Sequence, residues 1–478
     1  MKLREPFPLK MLNKLLDLPS LTSIAKLITE RCPVCGQEYI ERALARFSES
    51  KKYRCWFCNP FSIILANLTR LIGSFLGFDR NDLKEFLSEP WMKRILLNQI
   101  HGLAIFGRSR PQSVVAPVIA VWEITNECNL NCSYCHVNAK TRLADELNGE
   151  EKIKLIDEIA NMGTVALMIA GGEPLCSPEL FNVVKYAHDR GLYTVIITNG
   201  LLLSEENARK LIDAGLDYIK VSIDSASPEV HDSLRGNGSW ERAIQGIKNS
   251  VKAGLMTGIA FTLTRASVKE LPDVIDLAKS LGVKRIILFN FVPSGRGRYV
   301  AHLDLGGIER ESVLEQAFNE TYNLLIDSNG IEISTTAPQG PRIAMSKILS
   351  RIPSKNWLKA VKKLTAYGRI QALAGILSEG CSAGITVISI RSNGDVKPCD
   401  LMPITIGNIK KKSFKDVWLR NDCLRRLRNR KNVKGWCASC PFLVNCGGCR
   451  SRAYAYFGDL FESDPSCLYE KKVKVCIA

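Results

Sequence analysis

The chain has 478 residues, 17 cysteines and a formal net charge of +17. At about 150 residues per domain, this length predicts about three domains. Its hydrophobic share of 46% and charged share of 24% are typical of globular proteins, which excludes collagen-like, low-complexity and disordered chains. The first residues show no signal-peptide pattern, so we expect a cytoplasmic protein. In that compartment the 17 cysteines predict metal or redox sites rather than disulfides.

Composition and pattern divide the chain into five regions. They are a metal ribbon at 1–60, a helical segment with a linker at 61–112, strand–helix units at 113–300, a helical bridge at 301–375 and a cysteine-rich domain at 376–478. Cysteine motifs lie in the first, third and fifth regions, so we expect the metal chemistry to be divided among them.

Two C-x2-C pairs mark the first region. Cys32 and Cys35 form one pair, and Cys55 and Cys58 form the other, with 19 residues between the pairs. This spacing predicts a zinc ribbon, and a rubredoxin-like site with one iron is the alternative. The metal is expected to stabilise a domain too small to fold alone, and docking of a substrate or partner is the other role considered.

An apolar stretch follows at Phe61–Phe78. Asn67 and Arg70 interrupt it, so it is too short for a membrane-spanning helix. Its large apolar residues recur at i, i+3 and i+4, which predicts an amphipathic helix. We favour packing of its apolar face on the protein itself; the alternatives are peripheral membrane contact and capture of a lipid-like substrate.

Six short runs rich in Val and Ile predict β-strands in the third region. They span Val118–Ile124, Val165–Ala170, Tyr193–Thr198, Tyr218–Ile223, Ile259–Leu263 and Arg285–Asn290. Amphipathic stretches such as 150–161 and 204–214 separate them, which predicts a parallel sheet with helices outside. Six such units suit an incomplete (β/α) barrel or an open doubly wound sheet. In both folds the chemistry lies at the carboxyl ends of the strands.

A three-cysteine loop comes directly after the first predicted strand. Cys128, Cys132 and Cys135 have the spacing C-x3-C-x2-C, with which one loop holds three irons of a four-iron cluster and leaves the fourth iron open. A zinc site typically has four protein ligands, or His and carboxylate among three. His136 is adjacent to Cys135 and is therefore poorly placed to share an ion with it.

With Tyr134 before its last cysteine, the loop resembles the signature of the radical S-adenosylmethionine superfamily. The resemblance covers about 115–300 and implies an α/β fold, a partial (β/α)6 TIM-type barrel between a small amino-terminal metal ribbon and a carboxyl-terminal cluster domain. It further implies a catalytic 4Fe-4S cluster that binds S-adenosylmethionine at its open iron.

Further segments resemble the cofactor-binding motifs of the family. The matching residues are Gly171, Gly172, Glu173 and Pro174 after the second strand, Asn199 after the third, Ser222 and Asp224 after the fourth, and Arg235. Glycine permits close backbone approach to a ligand, and the Glu173 carboxylate accepts hydrogen bonds from an ammonium group. Turn chemistry is the alternative for Asn199 and Asp224, and a solvated loop position is the alternative for Arg235.

The resemblance also implies the reaction. A reduced cluster passes one electron to the bound sulfonium, the S–C5′ bond breaks, and the resulting 5′-deoxyadenosyl radical takes hydrogen from a substrate. The cofactor carries this chemistry, while the protein orients and shields it. An electron donor such as ferredoxin or flavodoxin is the implied partner.

Seven cysteines of the last region resemble the SPASM extension of this superfamily, which holds auxiliary 4Fe-4S clusters. By analogy one cluster is held by Cys437, Cys440, Cys446 and Cys467, and the other is held by Cys381, Cys399 and Cys449. Two saturated clusters need eight ligands, so the second has an open iron, or a further ligand in Asp400 or Cys423. Paired structural zinc sites are the alternative.

The remaining cysteines are Cys176, Cys423 and Cys476, and none is given a catalytic role. Positive charge is densest at 424–431. We interpret this stretch as a solvated helix face rather than a nucleic-acid site, and the net charge also suits acidic substrates or an anionic membrane.

The leading hypothesis is therefore a radical S-adenosylmethionine enzyme acting on a peptide or protein, a tetrapyrrole or a lipid. The sequence around the carboxyl-terminal cysteines and the segment 294–298 resemble the haem-biosynthesis and peptide-modifying branch. Haem members of that branch carry a further cysteine motif in the bridge, where this chain has Ala337, which argues against a haem substrate. The amino-terminal ribbon and the apolar helix favour instead a larger or hydrophobic substrate such as a lipid or a protein. The alternatives are an RNA-modifying radical enzyme and a non-catalytic iron–sulfur electron carrier.

Overall fold

Ten strands form one sheet. The structure, a computed structural model, describes residues 20–48, 55–75, 80–327, 330–347, 351, 363–378, 380–465 and 467–469. The strands are β1 Ile119–Glu123, β2 Ala166–Ala170, β3 Tyr193–Thr198, β4 Tyr218–Ser222, β5 Thr257–Leu263, β6 Arg285–Asn290, β7 Glu332–Thr335, β8 Val387–Ile390, β9 Asp395–Lys397 and β10 Gly407–Asn408. All six predicted strands are present as β1 to β6, with ends within two residues of the prediction.

The strand order is β10-β9-β8-β1-β2-β3-β4-β5-β6-β7. All pairs from β8 through β1 to β7 are parallel, and Ile119 of β1 lies opposite both Ala166 of β2 and Val387 of β8. The order from β1 to β7 never reverses, unlike that of a doubly wound sheet. The fold is therefore the predicted α/β incomplete barrel, and β8 adds a strand from the carboxyl-terminal region.

Helices cover the outer face of the sheet and both ends of the chain. They are α1 Leu21–Ile28, α2 Tyr39–Ser48, α3 Asn59–Phe75, α4 Arg80–Ser88, α5 Pro90–Phe106, α6 Gly149–Asn161, α7 Leu180–Asp189, α8 Glu205–Asp213, α9 Pro228–Arg235, α10 Ser239–Ala253, α11 Leu271–Ser280, α12 Gly307–Asp327, α13 Gly340–Lys347, α14 Ala366–Ser378, α15 Phe414–Arg420, α16 Asp422–Leu427, α17 Gly435–Ala438 and α18 Arg450–Phe457. Asn148 and Glu151 form a capping box that begins α6, and Leu155 and Ile159 of that helix pack on the sheet.

The amino-terminal helices close the lower end of the barrel interior. Trp91, Met92 and Ile95 of α5 belong to one buried cluster with inward residues of the strands, including Val121 and Tyr218. The same cluster includes residues of α2, α3, α4 and α14. The amino-terminal region and the bridge therefore complete the barrel core, because the strands alone leave this apolar surface uncovered.

Helix α3 contains most of the predicted amphipathic stretch; residues 76–78 of that prediction lie outside the described residues. Ala66 is buried within the inner core, whereas Ile64 is 63% exposed and Leu71 is 56% exposed. The favoured packing of this helix on its own protein thus holds for only one side of it. No helix in the described part of the chain is long and apolar enough to cross a membrane.

The Trp91→Ala substitution is expected to reduce the free energy of unfolding by about 3–5 kcal/mol, because it leaves a cavity in the inner core. Thermal denaturation of anaerobically prepared protein measures the effect. The matched control is Ile64→Ala, which removes an exposed side chain and should change stability by about 0.5 kcal/mol or less. Equal melting temperatures for both variants would show that α5 does not support the barrel.

Candidate functional site

A cavity of about 160 Å³ lies at the carboxyl ends of the parallel strands. The last residues of β1, β2, β3, β4 and β6 line it. The predicted site residues in its wall are Cys128, Cys132, Tyr134, Cys135, Gly171, Gly172, Asn199, Ser222 and Arg235. The structure thus brings together residues more than 100 positions apart in the chain, and Glu173, Pro174 and Asp224 lie behind this wall.

The cysteine loop is held by main-chain hydrogen bonds on both sides. Cys128 N–H donates to Lys140 O at 3.1 Å, and Ser133 N–H donates to Leu234 O at 2.9 Å. Burial raises the pKa of Cys128 to about 12 and also raises the pKa of Cys132. A cation beside these thiols, such as the iron of a cluster, would favour their ionised form.

Arg296, from the 294–298 segment, braces the same loop. Its Nε donates to Cys132 O and its main-chain N–H donates to Cys135 O, both at 2.9 Å. A Cβ on the neighbouring Gly295 would lie 2.5 Å from Cys135 O, and Gly295 has a φ of +54°. Glycine is therefore required at this position, and Arg296 is a positioning residue to which the sequence analysis assigned no role.

The two glycines of the Gly171–Pro174 turn make room for the protein itself. A Cβ on Gly172 would lie 2.0 Å from Glu127 O, and one on Gly171 would lie 2.5 Å from Thr125 O. Both glycines also line the cavity. Because neither glycine has a side chain, the turn packs directly against the segment that leads into the cysteine loop. This role comes in addition to the expected close approach of a ligand to the backbone.

Glu173 is fully buried beneath the cavity. Its carboxylate accepts from Thr198 Oγ1 at 2.7 Å, from Asn199 N–H at 2.8 Å and from Leu175 N–H at 3.1 Å. Burial raises the pKa of Glu173 despite these donors. In this arrangement the side chain fastens the turn to the end of β3, and its contact with an ammonium group stays a prediction.

Asp224 organises the opposite wall. It accepts from Arg235 Nε at 2.6 Å, from Thr262 N–H at 3.0 Å and from the Tyr134 hydroxyl. Burial raises the pKa of Asp224, but the charge and hydrogen bond of Arg235 outweigh it and the net shift is downward. The solvated-loop interpretation of Arg235 is wrong, because the residue ends α9, is 9% exposed and pairs with Asp224.

A second cavity, of about 360 Å³, shares Val121, Phe289, Asp400 and Leu401 with the first. It lies at the seam between the two ends of the parallel run, where residues of β7 and Val387 of β8 both line it. Most of its wall is apolar, and helix α14 covers one side. Its lining includes Ala337, which stands where haem members of the resembling branch carry a cysteine motif.

Two buried cations lie in the wall of the second cavity. Lys220 Nζ lies 3.2 Å from Met168 Sδ and within about 6 Å of the rings of Tyr218 and Phe289. Burial, with a smaller contribution from Arg285, lowers the pKa of Lys220 well below its usual value. Arg285 is paired with Glu332 at 2.9 Å. An acidic ligand would favour the charged form of the lysine.

The seven carboxyl-terminal cysteines fall into the two predicted sets. Cys381, Cys399 and Cys449 line the second cavity, and a third cavity is lined by Cys437, Cys440, Cys446 and Cys467. The sets adjoin, since Cys381 N–H donates to Cys446 O at 2.9 Å. Burial raises the pKa of Cys449 and of Cys467 to about 12.

The four amino-terminal cysteines form a compact group with all sulfurs within 4.8 Å of one another. The Sγ atoms of Cys32 and Cys55 are 3.7 Å apart, and those of Cys35 and Cys58 are 3.6 Å apart. A tetrahedral zinc site with bonds of about 2.3 Å separates its sulfurs by about 3.8 Å. A hydrogen bond from the Gln37 main chain, aided by Arg42, lowers the pKa of Cys35 to about 6. The group therefore fits a single tetrahedral ion.

The remaining cysteines and the basic stretch lie apart from these centres. Cys176 and Cys423 line none of the three cavities, and Cys476 is outside the described residues. Arg425 and Arg426 are exposed, as expected of a solvated helix face, but Arg430 is buried and donates to Cys381 O at 3.0 Å. The stretch is thus partly structural.

A buried polar pair that the sequence did not predict lies between the two cluster regions. Lys397 Nζ donates to Glu123 Oε1 at 2.6 Å and to Asp400 O at 3.0 Å. A carboxylate at the end of an otherwise apolar strand was the available signal for Glu123.

Comparison with known proteins supports an iron–sulfur site of this kind. A family model described as "Radical SAM superfamily" matches residues 122–278, and the SPASM model, described as "Iron-sulfur cluster-binding domain", matches residues 381–441. The AdoMet-dependent heme synthase of Methanosarcina barkeri (strain Fusaro / DSM 804) is 34% identical over 356 residues, covering 74% of this chain and 97% of that protein. The mycofactocin maturase MftC of Mycobacterium tuberculosis (strain ATCC 25618 / H37Rv) is 29% identical, covering 74% and 83%.

Among solved structures, Streptococcus suis SuiB bound to S-adenosylmethionine matches with a TM-score of 0.60 and 16% identity, covering 86% of this chain and 89% of that one. At this identity the likeness supports the fold alone. Together with the close heme-synthase relative and the cysteine-lined cavities, these matches place the protein: the chain belongs to the radical S-adenosylmethionine superfamily and carries a SPASM iron–sulfur cluster-binding domain.

Proposed function

We propose that this enzyme reductively cleaves S-adenosylmethionine in the first cavity and takes hydrogen from a substrate held in the second. The single observation that carries the proposal is that the two cavities adjoin and share four wall residues. When bound, the catalytic 4Fe-4S cluster supplies the electron for this cleavage, which gives methionine and a 5′-deoxyadenosyl radical.

The chain's own residues hold and orient the reactants in this scheme. Cys128, Cys132 and Cys135 hold the catalytic cluster, while Gly171 and Gly172 offer backbone to the cofactor. Ser222 and Arg235 face the carboxylate or ribose of S-adenosylmethionine, with Asn199 near the ribose. Asp224 and Tyr134 keep Arg235 in position, as their contacts with it support. The apolar wall excludes water from the radical.

The carboxyl-terminal cysteines hold auxiliary clusters in the same scheme. Cys437, Cys440, Cys446 and Cys467 fit a saturated four-iron cluster, and Cys381, Cys399 and Cys449 hold the other. A small electron-transfer protein such as ferredoxin or flavodoxin supplies electrons, and the net charge of +17 favours an acidic partner. A cytoplasmic location suits reduced thiols and clusters.

The second cavity favours an apolar substrate that carries an acidic group. Its wall is mostly apolar, and Lys220 provides a buried cation beside Met168 and Phe289. Tetrapyrrole carboxylates have this character, and the named heme-synthase relative supports that class. Ala337 changes the wall where haem members carry cysteine, so we expect the tetrapyrrole to differ from theirs. A peptide is the second candidate, because SuiB has been seen with its precursor peptide.

The four-cysteine ribbon is proposed to bind zinc and to stabilise the amino-terminal module. The short sulfur–sulfur distances and the lowered pKa of Cys35 support one tetrahedral ion. Peripheral membrane contact through the exposed face of α3 stays a prediction.

Reconstituted protein reduced with dithionite is expected to convert S-adenosylmethionine slowly to 5′-deoxyadenosine, and Cys132→Ala is expected to abolish this conversion. The variant should also contain about four fewer irons than the roughly 11–12 that three four-iron clusters supply. Chromatography of the nucleoside product and iron analysis provide the measurements. The matched control is Cys176→Ala, which removes a cysteine outside the cavities and should leave both values unchanged. Full cleavage by Cys132→Ala would refute the assignment of the loop.

The ribbon is expected to contain about one zinc per chain with four sulfur ligands at about 2.3 Å, as X-ray absorption measures. Cys35→Ser should lower zinc content and melting temperature, because the ion contributes to folding, while cluster iron stays constant. The control is Cys423→Ser, which should keep the zinc. A mononuclear iron signal at full occupancy would favour the rubredoxin-like alternative instead.

Lys220→Met is expected to raise the KM for an acidic substrate about 10-fold or more, since a buried cation is lost without a change in size. Deuterium transfer into 5′-deoxyadenosine from labelled tetrapyrrole carboxylates, peptides and lipids identifies the substrate and measures the effect. Neither the rate of S-adenosylmethionine cleavage in the absence of substrate nor the melting temperature should fall in this variant. The exposed Lys210→Met serves as control, and an unchanged KM in Lys220→Met would contradict the acidic-group requirement.

A further inference from the structure

The second set of auxiliary cysteines supplies three of the four ligands that a saturated four-iron cluster needs. Cys381, Cys399 and Cys449 line one cavity wall; Cys381 and Cys449 are buried and Cys399 is half-buried. Three thiols on a shared wall fit such a cluster. Which group faces the fourth iron decides whether this cluster binds substrate or only transfers electrons.

Asp400 lies beside these thiols. Its Oδ1 is 3.2 Å from Cys399 Sγ, and its side chain lines the same cavity. Its main-chain oxygen accepts from Lys397 Nζ at 3.0 Å, and Lys397 is paired with Glu123 at 2.6 Å. The buried pair therefore fixes the backbone of Asp400, and its carboxylate lies beside Cys399 and near enough to Lys220 to interact with that lysine.

The neighbouring carboxylate, Asp464, is already occupied. Its Oδ1 accepts from Arg452 Nε at 2.9 Å. Its Oδ2 accepts from Cys449 N–H at 2.9 Å and from Gln339 Nε2 at 3.1 Å. An iron bond would break this buried network, which costs more than recruiting Asp400.

The remaining candidate ligand, Cys423, lies on a helix whose cysteine does not line the second cavity. It lies near the start of α16, half-buried, and lines neither the second cavity nor the other two. Its main-chain N–H donates to Asn421 Oδ1 at 2.9 Å, so Asn421 caps the helix. Its thiol is therefore placed away from the wall that Cys381, Cys399 and Cys449 line.

We propose that Asp400 is the fourth protein ligand of the cluster held by Cys381, Cys399 and Cys449. This rests on the proposed function, since it assumes that the chain carries auxiliary clusters. Carboxylate oxygen is an established ligand type for iron. With four protein ligands the cluster has no open iron, so it transfers electrons, and the substrate binds through the apolar wall and Lys220.

The test uses full-length protein in which Cys128, Cys132 and Cys135 are replaced by Ala, so that only the auxiliary clusters remain. Into this parent we introduce Asp400→Ala, Asp400→Cys and, as a matched comparison, Cys423→Ala. The readouts are iron content, Mössbauer spectra and binding of ¹³C-cyanide. Cyanide binding is measured by electron–nuclear double resonance of the reduced clusters. The parent should contain about eight irons, the sum of two four-iron clusters.

We expect cyanide to couple to one cluster in Asp400→Ala and to none in the parent, Asp400→Cys or Cys423→Ala. Loss of about four irons in Asp400→Ala that Asp400→Cys restores would equally support ligation. Cyanide coupling in the parent would overturn the proposal, because its iron would already be open. Full iron without coupling in Asp400→Ala, loss that Asp400→Cys does not restore, or an open iron in Cys423→Ala would also overturn it. A parent with fewer irons would refute the auxiliary clusters themselves, and the proposal with them.

Discussion

The pairing of β8 with β1 determines how the two cluster regions of this protein meet. Ile119 of the barrel lies opposite Val387 of the carboxyl-terminal region, so a strand of the auxiliary domain is also a strand of the barrel. The buried pair between Glu123, at the end of β1, and Lys397, at the end of β9, is a second link between the barrel and the carboxyl-terminal region. Because a sheet register tolerates no slip without exposing its buried faces, the position of Cys399 relative to the catalytic loop follows from this pairing.

Contacts with the rest of the protein position the three-cysteine loop. Arg296 Nε and N–H donate to its carbonyl groups, the main chain of α9 accepts from its Ser133 N–H, and Tyr134 donates to Asp224. The three thiols are half-buried, and binding of a cluster would release their protons. Such preorganisation suits radical chemistry, in which the reactive carbon must meet one hydrogen of the substrate and no other.

The amino-terminal module and the seam of the barrel together define the substrate space. Helices α2 to α5 close the lower end of the interior with a tightly packed apolar cluster that includes Trp91. The strands do not close between β7 and β8, and the second cavity occupies that gap. In the proposed scheme the substrate meets apolar walls, one buried lysine and the edge of the auxiliary cysteines, which suits an amphiphilic acid better than a nucleic acid.

The amino-acid sequence alone determined the strands β1 to β6, the repeated α/β pattern, the four-cysteine ribbon and the three-cysteine loop, because periodicity and cysteine spacing are local properties. The two auxiliary cysteine sets were predicted by their resemblance to the SPASM extension. The short strands β7 to β10 escaped prediction, since two to four residues carry too little pattern. Only the tertiary structure decided that Glu173 fastens a turn, that Arg235 is a buried partner of Asp224, and that Asp400 rather than Cys423 faces the second auxiliary set. These roles depend on contacts between residues far apart in the chain, and the distances that define such contacts exist only after folding.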